Sequence, residues 1–211
     1  MVALSPPRKM GKETHSVPRI EILGVFGSGK TTLSVHLSNK VGALLPERHE
    51  LNPLWGKQSS IENLGYLPYD LYFLLQHADL ASSKIAVSPQ AVSICDWSFR
   101  TDRLWASMRL GDDIQVYDAV YGSILKHISP PLGYLYLPQP VNKIIERIGS
   151  RGRASEASFV KHVSAAAKNL GELVESMTSE NVLEVSDFYD SDYVLQKIHA
   201  WLRDSRVKVH E

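Results

Sequence analysis

The sequence predicts an α/β protein of three layers, with a five-stranded parallel sheet held between helices. Two features predict it. From Arg19 onward, short apolar runs alternate with longer stretches of helical period, the signature of strand-helix-strand units that feed a parallel sheet. Between the first such run and the first such stretch lies a glycine-rich turn, Gly24 to Thr31, with no spacer on either side. A single domain over 19–211 is expected, because 211 residues with 44% hydrophobic and 22% charged content suffice for one core and carry no repeat or disordered signature. Residues 1–18, rich in Pro, Lys, Ser and Thr and without periodicity, read as a loose tail.

The first strand is RIEILG at 19–24, running through the turn GVFGSGK into a helix from about Lys30, on which Leu33, Leu37 and Val41 share a face. A short second strand falls near ALLPE at 43–47, followed by a polar loop through Asn52 and Pro53. The spacing then predicts one long helix from about Ser59 to Ser82, with Leu71, Leu74, Leu75 and Ala78 as its apolar stripe. The third strand, AVSIC at 91–95, ends at Asp96, and helices around 101–109 and 113–128 lead to the fourth, LGYLYL at 132–137. Pro140 opens the next helix, since its ring presets a helical φ and its missing N–H would be unpaired there anyway. Val141, Ile144, Ile145 and Ile148 share that helix's face, and Gly149 ends it. The clearest amphipathic helix covers 156–178, with Phe159, Val163, Ala166, Leu170, Leu173 and Met177 at intervals of three or four. NVLEV at 181–185 makes a fifth strand, and Tyr193 to Leu202 a closing helix.

Charge and cysteine content exclude several classes. Lys and Arg number 23 against 23 Asp and Glu, so the chain lacks the one-signed field that nucleic acid or an anionic membrane demands. No apolar run reaches the roughly 18–20 residues that span a bilayer, and the N-terminus has no signal-peptide core, so an intracellular, cytoplasmic protein is expected. The lone Cys95 has no disulfide partner and reads as a small buried residue, and no histidine stands at metal-ligand spacing. No metal held by a dedicated protein cage is expected.

GVFGSGKT, Gly24 to Thr31, satisfies the phosphate-loop pattern at every fixed position. Gly24, Gly27, Ser28 and Gly29 let backbone N–H groups turn inward around phosphate oxygens, Lys30 reaches the β and γ phosphates, and Thr31, with Thr32 beside it, opens the helix and supplies a hydroxyl for magnesium. ATP or another nucleoside triphosphate with magnesium is thus expected. Asp96, closing the third strand, lies where an acid holds that magnesium or its water shell, the alternative being a helix cap. A guanine-reading Asn-Lys-x-Asp tetrapeptide is missing, since NKII at 142–145 lacks the Asp. In ERIGSRGR, Arg147, Arg151 and Arg153 surround a glycine-containing turn between helices; three guanidiniums there suit a lid that closes over ATP, and a solvated basic turn is the alternative.

Taken together, GVFGSGKT, DWSFRTDR and ERIGSRGRASE, in this order and at these distances, resemble the deoxyribonucleoside kinase family over about Ile20 to the C-terminus. The resemblance implies a P-loop kinase fold with an arginine-rich lid, a homodimer, and phosphorylation of a nucleoside 5′-hydroxyl. It implies that Glu47, in PERHELNP, accepts the hydroxyl proton, and that Asp102 reads the base. It also sets Asp70 and His77 at the family's Gln and Arg on the long second helix. Trp97 stands where the family carries an Arg, and Arg100, one turn away, is the candidate replacement for that charge. Trp55, Tyr66, Tyr69 and Tyr72 lie near this region and are candidates to stack on a base, or to pack in the core.

Besides a divergent kinase for another small hydroxylated metabolite, two other readings fit the same residues. A thymidylate-kinase-like enzyme would phosphorylate a nucleoside monophosphate and need Arg48, Arg100 or Arg103 for the acceptor phosphate. A nucleotide-binding regulator that has lost phosphotransfer is suggested by Trp97, and opposed by the complete set of Lys30, Thr31 and lid arginines.

Overall fold

In the computed structural model, β1 (Arg19–Leu23) runs through the middle of a five-stranded sheet and is buried along its whole length. The structure describes residues 18–82, 92–152, 160–186 and 191–209. β1 pairs in parallel with β3 (Ser93–Cys95) on one side and with β4 (Gly133–Tyr136) on the other. β2 (Leu44–Leu45) and β5 (Val182–Glu184) form the parallel edges, giving the order β2-β3-β1-β4-β5. The chain therefore leaves β1 toward one edge and β3 toward the other, which makes the carboxyl ends of these two neighbours the switch point where an open α/β sheet has its crevice.

Eight α-helices cover the two faces among the described residues: α1 (Lys30–Val41), α2 (Gln58–Leu64), α3 (Leu67–Ser82), α4 (Phe99–Arg109), α5 (Ile114–Leu125), α6 (Val141–Arg151), α7 (Val160–Ser176) and α8 (Ser191–Val209). The period-two alternation of β1 decides which core each residue joins. Ile20 and Ile22 pack with Leu33 and Leu37 of α1 and with Ile198 and Leu202 of α8. Leu23 faces the opposite side, against Trp105 of α4, Ile144 and Ile148 of α6 and Val163 of α7. Burying Ile144 and Ile148 contributes roughly 1.5–3 kcal/mol each, and this seats α6 beneath the glycine-rich turn.

The alternation also buries charge. Arg19 and Glu21, 2% and 0% exposed, pair at 2.8 Å on the same side of the central strand. Glu21 accepts further hydrogen bonds from Ser98 Oγ at 2.9 Å and the Phe99 N–H at 3.2 Å. Burial raises its carboxyl above the usual range against the pull of Arg19 and these donors. The pair ties β1 to the start of α4, whose N-cap Ser98 accepts from the Arg100 N–H.

The structure departs from the sequence expectations in three places. The helix expected over 59–82 is two, α2 and α3, broken at Gly65, whose φ of 76° no side-chain-bearing residue adopts without strain. The buried face of α3 is Tyr69, Asp70, Phe73, Leu74, His77 and Ala81, and Leu75 is 55% exposed, because the helix turns two polar residues inward. α6 does not stop at Gly149 but continues to Arg151, with Gly152 in a left-handed cap. Phe159 and Arg153 lie outside the described residues, as do residues 1–17. Cys95 is buried, and no described helix is long and apolar enough to cross a membrane.

Candidate active site

The turn between β1 and α1 holds the two left-handed glycines that its sequence allows. Gly27 has φ 75°, and a Cβ there would sit 3.0 Å from the Ile144 carbonyl; Gly29, at φ 101°, is the N-cap of α1. The cap offers no side-chain acceptor and the first turn holds no acid, so the N-terminal N–H groups and the positive end of the helix face an incoming anion without internal competition. Lys30 Nζ donates to the carbonyls of Gly24 at 3.0 Å and Val25 at 3.2 Å. Burial lowers the pKa of Lys30, while Glu47 and Asp96 favour its charge and Arg151 opposes it. Ser28 is fully buried, and Thr31 and Thr32 are exposed on the first turn.

Arg147 reaches this turn from α6, its Nη1 lying 3.3 Å from the carbonyls of Gly27 and Ser28. Because α6 runs on to Arg151, Arg147 and Arg151 are one turn apart on a helix rather than on a loop, and they belong to the same face. Arg153, the third of the set, is outside the described residues.

Beside the turn, a cleft opens between the carboxyl ends of β1, β2 and β3 and the helices α3 and α4; Lys30, Glu47, Asp70, Trp97, Asp102 and Arg109 line it. Glu47 follows β2, and its backbone N–H donates to Asp96 Oδ1 at 2.5 Å, which locks the ends of β2 and β3 together. Burial raises the Glu47 carboxyl, and His77 and Lys30 draw it back toward the charged form. Lys30 and Glu47 thus face one cleft from its phosphate-loop side and its β2 side.

His77 and Asp102, which the sequence assigns to the substrate, meet each other: Nδ1 and Oδ2 are 2.6 Å apart, with His77 0% exposed. The imidazole stacks on Trp97 at 4.2 Å and 3° between planes. Burial disfavours its charge, but the Asp102 carboxylate, with Glu47 adding, outweighs that and raises its pKa. Trp97 is therefore a buried platform for an imidazole from another helix, whose charged form Asp102 and Glu47 favour.

Asp70 lines the same cleft and is paired with Arg109 of α4. The guanidinium lies over the rings of Tyr66, Tyr69 and Trp105 at 5.4–5.6 Å. Arg109, Trp105 and Thr101 line the cleft, and sequence reading passed over them. The signal was present in the spacing, since Asp102, Trp105 and Arg109 recur at three and four residues on one face of α4.

Three residues assigned to the substrate do not line the cleft, and the first is His77, fully buried against Trp97 and Asp102. Arg100 pairs with Glu180 and lines a separate depression with Tyr121 and Tyr134, because its position on α4 points away from Trp97. Trp55 sits behind the cleft, 4.6 Å from His49 and 6.4 Å from Tyr69, in an aromatic cluster with Phe73.

For magnesium, the residues present are oxygen donors that suit a hard cation: the exposed Thr31 hydroxyl and the Asp96 carboxylate at the end of β3. No group of three His, Cys, Asp or Glu among the described residues is arranged to hold a metal, so the donors fit an ion held chiefly by phosphate oxygens and water.

This architecture is that of known deoxyadenosine kinases. The deoxyadenosine kinase from M. mycoides with bound dCTP matches with a TM-score of 0.73 at 20% identity, over 88% of this chain and 99% of that one. The same kinase with the products dCMP and a flexible dCDP gives 0.73 at 20%, over 88% and 98%. Its complex with dATP gives 0.72 at 19%, over 86% and 99%. No protein-family model and no curated protein matches the sequence significantly. At such identities the likeness shows the fold, and the chain has the α/β P-loop fold of deoxyadenosine kinases, in line with the resemblance carried by its three motifs.

Proposed function

We propose that this protein transfers the γ-phosphoryl group of ATP, with magnesium, to the 5′-hydroxyl of a deoxynucleoside or nucleoside. The carrying observation is that Lys30 of the phosphate loop and Glu47 line one cleft at the carboxyl edge of the sheet. In this reading the N–H groups of residues 24–31 and Lys30 hold the phosphates, and Arg147 and Arg151 approach from α6 to meet charge that develops during transfer. Magnesium, held through Thr31 and Asp96, supplies charge neutralisation on the phosphates. Glu47 orients the acceptor hydroxyl and takes its proton; a carboxylate whose basicity burial has raised is better suited to this than an exposed one. Arg153 completes the lid in the same reading. A cytoplasmic homodimer acting on a small molecule, with no nucleic acid or membrane partner, belongs to the same proposal.

Of the three arginines a monophosphate acceptor would call on, Arg100 pairs with Glu180 and Arg103 with Asp118, and neither lines the cleft, which leaves the exposed Arg48 beside Glu47 as the one that could serve it. The pairing of two of the three favours a neutral hydroxyl as the acceptor. The test is product formation from ATP and magnesium with a panel of nucleosides and their monophosphates, run with wild type and Glu47→Gln. A nucleoside product whose rate falls by roughly 10²-fold in the variant is expected. Turnover of monophosphates alone would replace this reading by the monophosphate-kinase one, and ATP binding without any product would leave a binding protein.

A further inference from the structure

Away from the acceptor cleft, a second cavity of about 230 Å³ lies between α4, α5, β4 and residues 128–131. It shares no lining residue with the cleft. Its floor is the buried ion pair of β1. Arg19 reaches Glu21 through Nε at 2.9 Å and Nη2 at 2.8 Å, and its Nη1 donates to the Ser129 carbonyl at 2.6 Å. That uses three of the five N–H groups of a guanidinium, so two donors on a side chain only 2% exposed have no partner among the described residues. Glu21, the one acid among the described residues lining the cavity, is already taken up by Arg19, Ser98 Oγ and the Phe99 N–H. Burying two charges costs several kcal/mol of lost hydration per ion, and well-packed apolar residues in their place are often no less stable. Packing alone therefore gives no reason to keep this pair at the bottom of a cavity. A second guanidinium stands at the rim, where Arg100 hydrogen-bonds the Tyr134 hydroxyl and pairs with Glu180. Arg100 and Glu180 are both partly exposed, and such a pair holds at about 0–1 kcal/mol, so an incoming anion displaces Glu180 at little cost.

We infer that this cavity is a second small-molecule site, for an aromatic carboxylate of one or two rings whose carboxylate takes the place of Glu180 on Arg100. The chemical class follows from the lining. Two guanidiniums with donors to give, and no uncommitted acid, call for an anion, which binds such donors through charge-assisted hydrogen bonds. The walls between floor and rim are the rings of Phe99 and Tyr121 with Leu125, Ile128 and Pro130, which suit a flat apolar body. The spare N–H groups of Arg19 meet an acceptor on the far side of that ring. The volume lies below the roughly 300–1,000 Å³ of sites for drug-sized ligands, which excludes a nucleotide here.

The test is calorimetric titration of the full-length protein with phenylacetate as probe, beside its neutral isostere phenylacetamide. Phenylacetate is expected to bind at least about tenfold more tightly, because a carboxylate on a guanidinium makes charge-assisted bonds that an amide does not. Arg100→Ala, a change at a partly exposed position that the fold tolerates, is expected to weaken phenylacetate by at least about tenfold and to bring the two probes within about threefold of each other. Leu125→Trp fills the cavity and is expected to abolish binding of both probes while ATP affinity stays as in wild type. The phosphate loop also attracts anions, so the titration is repeated with ATP in excess, and the phenylacetate affinity is expected to stay within about twofold. Absence of phenylacetate binding up to about 10 mM, its displacement by ATP, or an affinity unchanged in Arg100→Ala overturns the inference. None of these outcomes depends on which acceptor the protein phosphorylates.

Discussion

The burial of Asp70 makes a signed prediction about stability and pH. Its carboxyl rises from 3.8 to about 6 on folding, because loss of water outweighs the attraction of Arg109. Between these values the folded protein binds a proton that the unfolded chain has released, so stability falls as pH rises through this window. Integrating the difference from pH 4.5 to pH 7, with each pKa unit worth 1.36 kcal/mol, gives a loss of about 2 kcal/mol from this one group. Glu21 and Glu47 shift in the same direction, so the wild-type curve alone mixes several carboxylates. Asp70→Asn isolates the contribution, since the variant cannot titrate there. The stability of wild type minus that of Asp70→Asn, from urea unfolding at half-unit pH steps, is expected to fall by about 2 kcal/mol from pH 4.5 to pH 7. A flat difference, or one that rises with pH, would show that Asp70 is not held in this dry pairing with Arg109.

Three further outcomes follow from the same geometry. Asp102→Asn removes the partner that raises the His77 pKa against burial, so the imidazole pKa, followed by NMR, is expected to drop below that in wild type; an unchanged titration would separate the two residues. Gly27→Ala places a Cβ 3.0 Å from the Ile144 carbonyl at φ 75° and should cost about 1–3 kcal/mol in thermal unfolding while weakening ATP binding, and undiminished affinity would mean the loop is not as drawn. Arg100→Ala, whose partner is Glu180 at a partly exposed site, is expected to leave nucleoside kcat/KM within about threefold and stability within about 1 kcal/mol, whereas a tenfold rise in KM would return Arg100 to the cleft.

The strands, their parallel arrangement and the phosphate loop were legible because each is a local property. A run of apolar residues, a glycine that must turn left-handed and a Lys-Thr pair at the start of a helix act within one or two turns of chain, and Gly24 to Thr31 could be read without knowing what packs around it. The break at Gly65 was equally local, but it was hidden by an apolar period that continues across it. The polar face of α3 was hidden for a different reason: hydrophobic spacing looks for apolar residues to bury, and here Asp70 and His77 occupy the buried stripe.

What the sequence by itself determined, then, is the order of strands and helices and the chemistry of the phosphate side, where the groups involved are neighbours in the chain. Which acid meets which base was decided only in three dimensions. Asp70 finds Arg109 at 39 positions' separation, His77 finds Asp102 at 25, the Glu47 N–H finds Asp96 at 49, and Arg100 finds Glu180 at 80. Periodicity states which face of an element a residue occupies and nothing about the element that will lie opposite, and a buried charge takes its pKa and its use from that opposite element. Glu47, Asp70, Asp102 and Arg109 enter the acceptor cleft through such pairs and Arg100 leaves it through one, which is why Arg100 looked like a site residue in the sequence while Arg109 did not.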